Sequence, residues 1–175
     1  NDTASSMLSN LGGYLRISLS YGNSQHLISQ EVDQVKAYVN IMNYRFSHKI
    51  CFTSDIPKEL LSYEILKIIL QPLVENSIRH GFGLDNSSSY LDVPSIKIEV
   101  YRDDPWLYLR VIDNGSGIDI ERATQILHTG TDGQKHVGLN NVYQRLVFFY
   151  GETAKITFSS IPYYENIVQI RIPFI

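Results

Sequence analysis

Apolar residues recur along the chain with two different periods, and the change of period divides it. Met7, Leu8, Leu11, Leu15, Ile17 and Leu19 stand at roughly helical spacing, although Gly12 and Gly13 each weaken a helix by about 1 kcal/mol relative to Ala. The pattern breaks around residues 22–29, which predicts a connection. Val32, Val35, Val39, Met42 and Phe46 then form a stripe at spacings of three and four, the mark of a second helix. Ser29 is placed to cap it, with Glu31 and Asp33 in the first turn, where the helix dipole favours acid.

Beyond His48 the period shortens. Residues 49–53 read as a strand. Residues 62–80, rich in Ile and Leu, read as a helix. Pro72 would cost about 3 kcal/mol in a regular helix interior, so that helix is expected to kink or restart there. Residues 95–101 alternate, with Ile96, Ile98 and Val100 on one face. Residues 106–112 alternate again, with Leu107, Leu109 and Val111 inward, and Asp103-Asp104-Pro105 between them predicts a hairpin turn. A helix capped by Asp119 is expected over 118–127, and a polar, Gly-containing stretch over 128–137. A further helix follows over 139–150, with Gly151 in the position that ends helices. Two alternating strands, 154–160 and 166–173, close the chain. Hairpins exclude an all-parallel sheet. The expectation for 49–175 is therefore an α/β two-layer sandwich, a mixed sheet with helices on one face, preceded by two helices within 1–48.

Composition narrows the function classes. The chain has 175 residues, is 43% hydrophobic and 19% charged, and carries a net charge of -3. That is enough apolar material for a core, and it lacks the basic surplus of a general nucleic-acid binder. No apolar run approaches the roughly 20 residues that span a bilayer, and Asn1-Asp2-Thr3 does not open a signal peptide. These features predict a soluble piece with no membrane contact of its own. Cys51, the one cysteine, lies between Ile50 and Phe52 and reads as a small core residue rather than a nucleophile.

Three segments carry candidate chemistry. In Gln71-Pro72-Leu73-Val74-Glu75-Asn76-Ser77-Ile78-Arg79-His80-Gly81, helical spacing puts Asn76 with His80 and Glu75 with Arg79. Glu75 and Arg79 also suit an ordinary surface pair, whereas Asn disfavours helix interiors. Asp113-Asn114-Gly115-Ser116-Gly117 follows a strand. It suits a plain turn, but equally a site where a flat ligand approaches glycine backbone and an Asp accepts from an amine. In 133–142 a Gly-containing loop feeds a helix start at Gly138, Leu139 and Asn140, where backbone N–H groups favour phosphate.

In this order the three segments resemble the GHKL superfamily of ATPases: gyrases, Hsp-ninety chaperones, histidine kinases and MutL proteins. Leu70-Gln71-Pro72-Leu73-Val74-Glu75-Asn76 with His80-Gly81 is similar to the N box of LytS/YesM-type sensor histidine kinases. Val137-Gly138-Leu139-Asn140-Asn141-Val142, Arg145-Leu146 and Tyr150-Gly151 resemble their final glycine box. Glu31, Tyr38 and Arg45-Phe46 resemble the helix ahead of their ATPase domain. Leu11, Leu15-Arg16 and Ser18-Leu19 resemble a dimerisation helix. The resemblance implies a Bergerat-type fold over 49–175, with partial dimerisation and linker helices in 1–48. It implies ATP and Mg²⁺ as cofactors. Asn76 would ligate Mg²⁺ through the ATP phosphates, and Glu75 would orient or activate the attacking group. Arg79 and His80 would lie near the phosphates. Asp113 would accept from the adenine amine, with Gly115 and Gly117 making room for the ring. Residues 119–137 would form a lid, and Gly138, Leu139 and Asn140 would hold phosphate.

The implied partners are a response regulator and a second copy of the chain. The implied setting is the cytoplasmic part of a parent anchored in a bacterial membrane. His136 stands where many members have Gly. The family's acceptor histidine lies upstream in a Pro-His-Phe-type context, and His26, His48, His80, His128 and His136 all lack it, so none is expected to accept phosphate. Alternatives are another enzyme of the superfamily, such as an anti-sigma-type serine kinase or an ATPase clamp, and a non-catalytic nucleotide- or partner-binding module.

Overall fold

The computed structural model describes residues 24–46, 50–82, 93–129 and 137–175. The predicted helix at 7–19, the side chain of Phe46, and 130–136 of the proposed lid lie outside them. The elements run β1 (Gln25–Leu27), α1 (Ile28–Phe46), β2 (Cys51–Asp55), β3 (Glu64–Leu66), α2 (Gln71–Asn76), β4 (Ser95–Asp103), β5 (Trp106–Asp113), α3 (Ile120–Thr129), α4 (Val137–Tyr150), β6 (Lys155–Ile161) and β7 (Glu165–Pro173). A 3₁₀ turn at Lys58–Leu60 and a π turn at Ser77–Gly81 complete the list.

Five strands form one mixed sheet in the order β2-β4-β5-β7-β6; β2 and β4 are parallel and the other neighbours antiparallel. Alternation does the sorting. Ile96, Ile98, Val100, Leu107, Leu109, Val111, Ile156, Ile170 and Ile172 are buried against the helices. The opposite face is polar and aromatic. There Arg110 donates to Glu99 (3.1 Å) and Gln169 (2.7 Å), and Arg171 lies 4.1 Å over the Trp106 ring.

The inward alternation ends in a polar row. The register aligns Ile96 with Asp113, Asp113 with Asn166, and Asn166 with Ser160, so one end of the helix-facing surface turns polar across three strands. That end becomes the floor of the site.

The Ile- and Leu-rich run at 62–80 is not one helix. Residues 64–66 pair with β1 in a separate two-stranded sheet, and helix begins only at Gln71, with Pro72 in its first turn, where a missing N–H costs nothing. The break lies at Ile68, whose φ of 56° is a left-handed conformation that β-branched residues avoid. Two side chains hold this turn. Glu31, 1% exposed on α1, accepts from the N–H of Ile68 (2.6 Å) and Ile69 (3.0 Å), and more distantly from Leu70 (3.3 Å). Arg145 on α4 donates to the carbonyls of Lys67 and Ile68. The ring Nδ1 of buried His26 lies 3.3 Å from the same carboxylate. Glu31 stands in the first turn of α1, as expected, and is in addition a buried anchor of the turn that enters α2. The backbone N–H of Leu27, ahead of α1, is capped by Gln30 (2.9 Å).

Val35 and Val39 of α1 lie in the core, with Val32 and Met42 packed at its margin, so a helix ahead of position 49 shares the core with the sheet. Asn43 clasps both backbone groups of Ile50 (2.7 and 3.2 Å) where the chain returns toward β2. Tyr150 accepts from Leu66 N–H (2.9 Å), and burial pushes its phenol up to about 12.

Cys51 is exposed, which corrects the expectation of a core residue. It lies on edge strand β2, where Phe52 takes the inward position and alternation turns Cys51 outward. Among the described residues no helix is long and apolar enough to cross a membrane.

Replacing Glu31 by Gln is expected to destabilise the chain by about 3 kcal/mol or more, because buried backbone N–H groups lose a charged acceptor and face an amide donor. Glu121→Gln, on the exposed side of α3, should stay within about 0.5 kcal/mol. Urea unfolding of both variants checks the contrast.

Candidate nucleotide site

Asp113 of the polar row lines a cavity of about 260 Å³ between the sheet, α2 with its π turn, and α3. It is the row's most constrained member, 6% exposed. Its Oδ2 accepts from the Ser77 hydroxyl (2.6 Å), and its Oδ1 from Gly115 N–H (2.8 Å) and the Asn166 amide (2.9 Å). A carboxylate offers about four acceptor positions. Three are taken among the described residues, which leaves one on Oδ2, and Asp113 lines the cavity. Asn166 is held in turn: its oxygen accepts from Ser160 (2.7 Å), and its amide also donates to Gly115 O (3.0 Å). The Asp113 carboxylate is therefore held in a fixed orientation where it lines the cavity.

Above it the walls are apolar: Leu73, Ile126, Leu139, Phe158 and Val168. Asn76 and His80 line the same cavity from the α2 side, with Asp119 and Arg122 on the α3 side. An apolar slot with one buried acceptor at its base and polar groups at its mouth suits a flat heteroaromatic ring that carries an exocyclic amine and a polar tail.

Gly117 lines the cavity with φ +113°, and a side chain there would press on Pro162. Gly115 has a different task. A Cβ on it would sit 2.7–2.8 Å from the backbone of Gly81, so its bare Cα admits the π turn and not the cavity. Ser116 N–H donates to Gly81 O across that contact (2.8 Å). The π turn itself closes with Phe82 N–H on Ser77 O (3.1 Å) and brings Ser77 to Asp113. Local π geometry of this kind is frequent at functional sites.

Of the residues singled out from sequence, Asn76, His80, Asp113, Gly117 and Leu139 converge on the cavity. Glu75 lies off it, half-buried, accepting from the Gln71 amide (2.6 Å); Arg79 points to solvent. Gly138 is exposed at the start of α4, and Asn140 donates to the carbonyls of Ile126 and Leu127 (3.1 Å each), tying α4 to α3. Sequence reasoning gave no role to Ser77, Ser160 or Asn166, and quoted Gly81 only as part of the N-box resemblance. Asn166 had a signal: it occupies an inward position of an alternating strand, where a polar residue calls for a partner.

The described residues contain no cluster of three His, Cys, Asp or Glu that could hold an ion. A lone Asn76 oxygen fits Mg²⁺, which keeps waters and takes most of its other ligands from substrate phosphates.

Similarity to known proteins agrees with this geometry. Residues 1–50 match the histidine kinase family, and residues 62–175 match the family described as histidine kinase-, DNA gyrase B-, and HSP90-like ATPase. Sensor protein kinase HptS of Staphylococcus aureus is 29% identical over 173 residues, covering 97% of this chain and 32% of that protein, so the chain spans about a third of its curated relative. Among solved structures, the catalytic domain of histidine kinase ThkA superposes with a TM-score of 0.62 at 17% identity, covering 86% of this chain and 95% of that one. Acinetobacter baumannii histidine kinase AdeS gives 0.58 at 16% identity, covering 99% and 79%.

Gly115→Ala is expected to destabilise the chain by about 2 kcal/mol, since backbone on both sides of the contact must move. Gly138→Ala, whose Cβ would meet only Pro72 at 3.8 Å, should be neutral or slightly stabilising. Thermal unfolding of the two variants separates a packing glycine from one the fold does not need. Sequence family, fold and site geometry converge: this chain belongs to the histidine kinase-, DNA gyrase B- and HSP90-like ATPase family.

Proposed function

We propose that the chain is the ATP-binding catalytic portion of a two-component sensor histidine kinase, passing the γ-phosphate of ATP to a histidine outside residues 1–175. The observation that carries this reading is the single open acceptor position of Asp113 at the base of an apolar slot, with Asn76 at the slot's mouth. Adenine offers the matching amine. Guanine presents a carbonyl at that ring position, which a carboxylate repels.

In this reading Asn76 supplies a side-chain oxygen to Mg²⁺, and His80 with Arg79 lies along the phosphates. The start of α4, at Gly138, Leu139 and Asn140, directs backbone N–H groups toward them. Mg²⁺ would neutralise phosphate charge. Phosphoryl transfer asks the protein mainly for position and electrostatic neutralisation. Glu75 orients the incoming imidazole and accepts the proton from one ring nitrogen while the lone pair of the other attacks the γ-phosphorus; the bond from that phosphorus to the bridging oxygen breaks and ADP leaves. Residues 1–48 act as dimerisation and linker helices, with α1 also a wall of the catalytic core. The partners are a second copy of the chain and a response regulator. The parent is anchored in a bacterial membrane, with this portion on the cytoplasmic side. The histidine-kinase relatives and the match over 1–50 support this reading over a clamp or an anti-sigma-type kinase.

Calorimetry tests the nucleotide site. The folded chain should bind Mg–ATP in the micromolar-to-millimolar range. Asp113→Asn should weaken binding at least about tenfold, and Asn76→Ala should bind ATP equally with and without Mg²⁺. Transfer is then read with an acceptor helix of the family supplied in trans, and Glu75→Gln should slow it about a hundredfold. A folded chain that binds no nucleotide would leave a partner-binding module as the better account.

A further inference from the structure

We propose that Gln34 and Gln71 are positioning residues for Glu75, so that helix α1 sets the orientation of the carboxylate facing the acceptor. The inference rests on the role assigned to Glu75 above and adds what controls it.

Gln34 lies on α1, fully buried, and its Nε2 donates to Gln71 Oε1 at 2.7 Å. Gln71 opens α2, is 5% exposed, and its Nε2 donates to Glu75 Oε1 at 2.6 Å, one helical turn on. The two bonds are not independent. A glutamine amide has an accepting end and a donating end, exchanged by a half-turn of its last torsion. Once the Gln71 oxygen takes the Gln34 N–H, the end facing Glu75 must be the NH₂. Removing Gln34 takes away the donor that fixes the Gln71 oxygen on the side away from the carboxylate. Accepting at oxygen also strengthens the NH₂ as a donor. The outcome is a directed chain from one helix, through a second, to a catalytic group.

Its position in the fold gives it a use beyond stability. The relay lies at the N-terminal end of α2, while the adenine end of the site hangs on Ser77 and Asp113 at the far end. A change confined to the Gln34–Gln71 contact therefore reaches Glu75 without passing through Ser77 or Asp113.

The test combines a spectroscopic and a kinetic readout on the chain with ¹³C-labelled glutamate carboxyls. Gln34→Met and Gln71→Met keep side-chain length and remove the amides. The double variant removes both together and leaves no lone buried amide. Each should displace the Glu75 carboxyl resonance, including Gln34→Met, which changes a residue that does not touch Glu75. In the transfer assay each should lower the rate about tenfold with the Mg–ATP dissociation constant unchanged. Neither should lower it further in a Glu75→Gln background, because coupled residues are non-additive. An unmoved Glu75 resonance in Gln34→Met overturns the proposal, as do transfer losses that multiply with Glu75→Gln. If the wild type binds Mg–ATP but transfers nothing, the role given to Glu75 fails, and the resonance alone still decides whether the two glutamines position its carboxylate.

Discussion

The buried carboxylate of Glu31 is the constraint on which the site's framework depends. It takes the N–H groups of residues 68–70 while Arg145 takes the carbonyls of 67 and 68, so one irregular turn is satisfied from two helices. Backbone polar groups this deep must find partners, and no regular element could supply them at a residue with φ 56°. With the turn fixed, α2 starts at Gln71, and one face of it is delivered to the cavity. The same two side chains join α1 and α4 to the edge of the site. The three helices are therefore placed relative to one another by charge-assisted hydrogen bonds as well as by packing.

The second determinant is a change of chemistry within an unbroken alternation. Along β4, β5, β7 and β6 the inward positions are apolar until the last row, where Asp113, Asn166 and Ser160 replace them. Those three bond to one another and to Gly115, and Asp113, with one acceptor position of its carboxylate unused by them and by Ser77, lines the slot. A core built to this plan needs no separate binding loop for the base. The cavity is the end of the sheet left unfilled, and the glycines of 115–117 let the π turn and the hairpin tip close around it.

Most of the sheet was legible in the sequence because period-two alternation is strong in strands 95–101, 106–112, 154–160 and 166–173. The site was legible in part. Asn76, His80, Asp113 and Gly117 line the cavity; Asn76 stood out because Asn disfavours helix interiors, and the others through the order of the three segments and the resemblance it carries. Other features were hidden for physical reasons. Ile65, Leu66, Ile69, Leu70, Leu73 and Val74 recur at helical spacing, so a strand, a left-handed residue and a helix start looked like one helix; the pattern records burial, and all six are buried. Strands β1 and β3 are three residues each, too short for alternation to register. Glu31 was placed correctly in the first turn of its helix, but its burial and its role in the turn were hidden, because the N–H groups it accepts from lie some 37 residues onward in the chain. Ser77 was invisible because only the π turn brings it to Asp113.

The central claim is that the open acceptor of Asp113 reads an exocyclic amine at the base of the slot. It is tested most directly by titrating the chain with Mg–ATP and with the Mg complex of purine riboside triphosphate, which differs only in having hydrogen where adenine has its amine. Binding of the second ligand at least about tenfold weaker, with the difference lost in Asp113→Asn, is the predicted result. Equal affinity for the two would contradict it, and the nucleotide would then have to sit elsewhere on the chain.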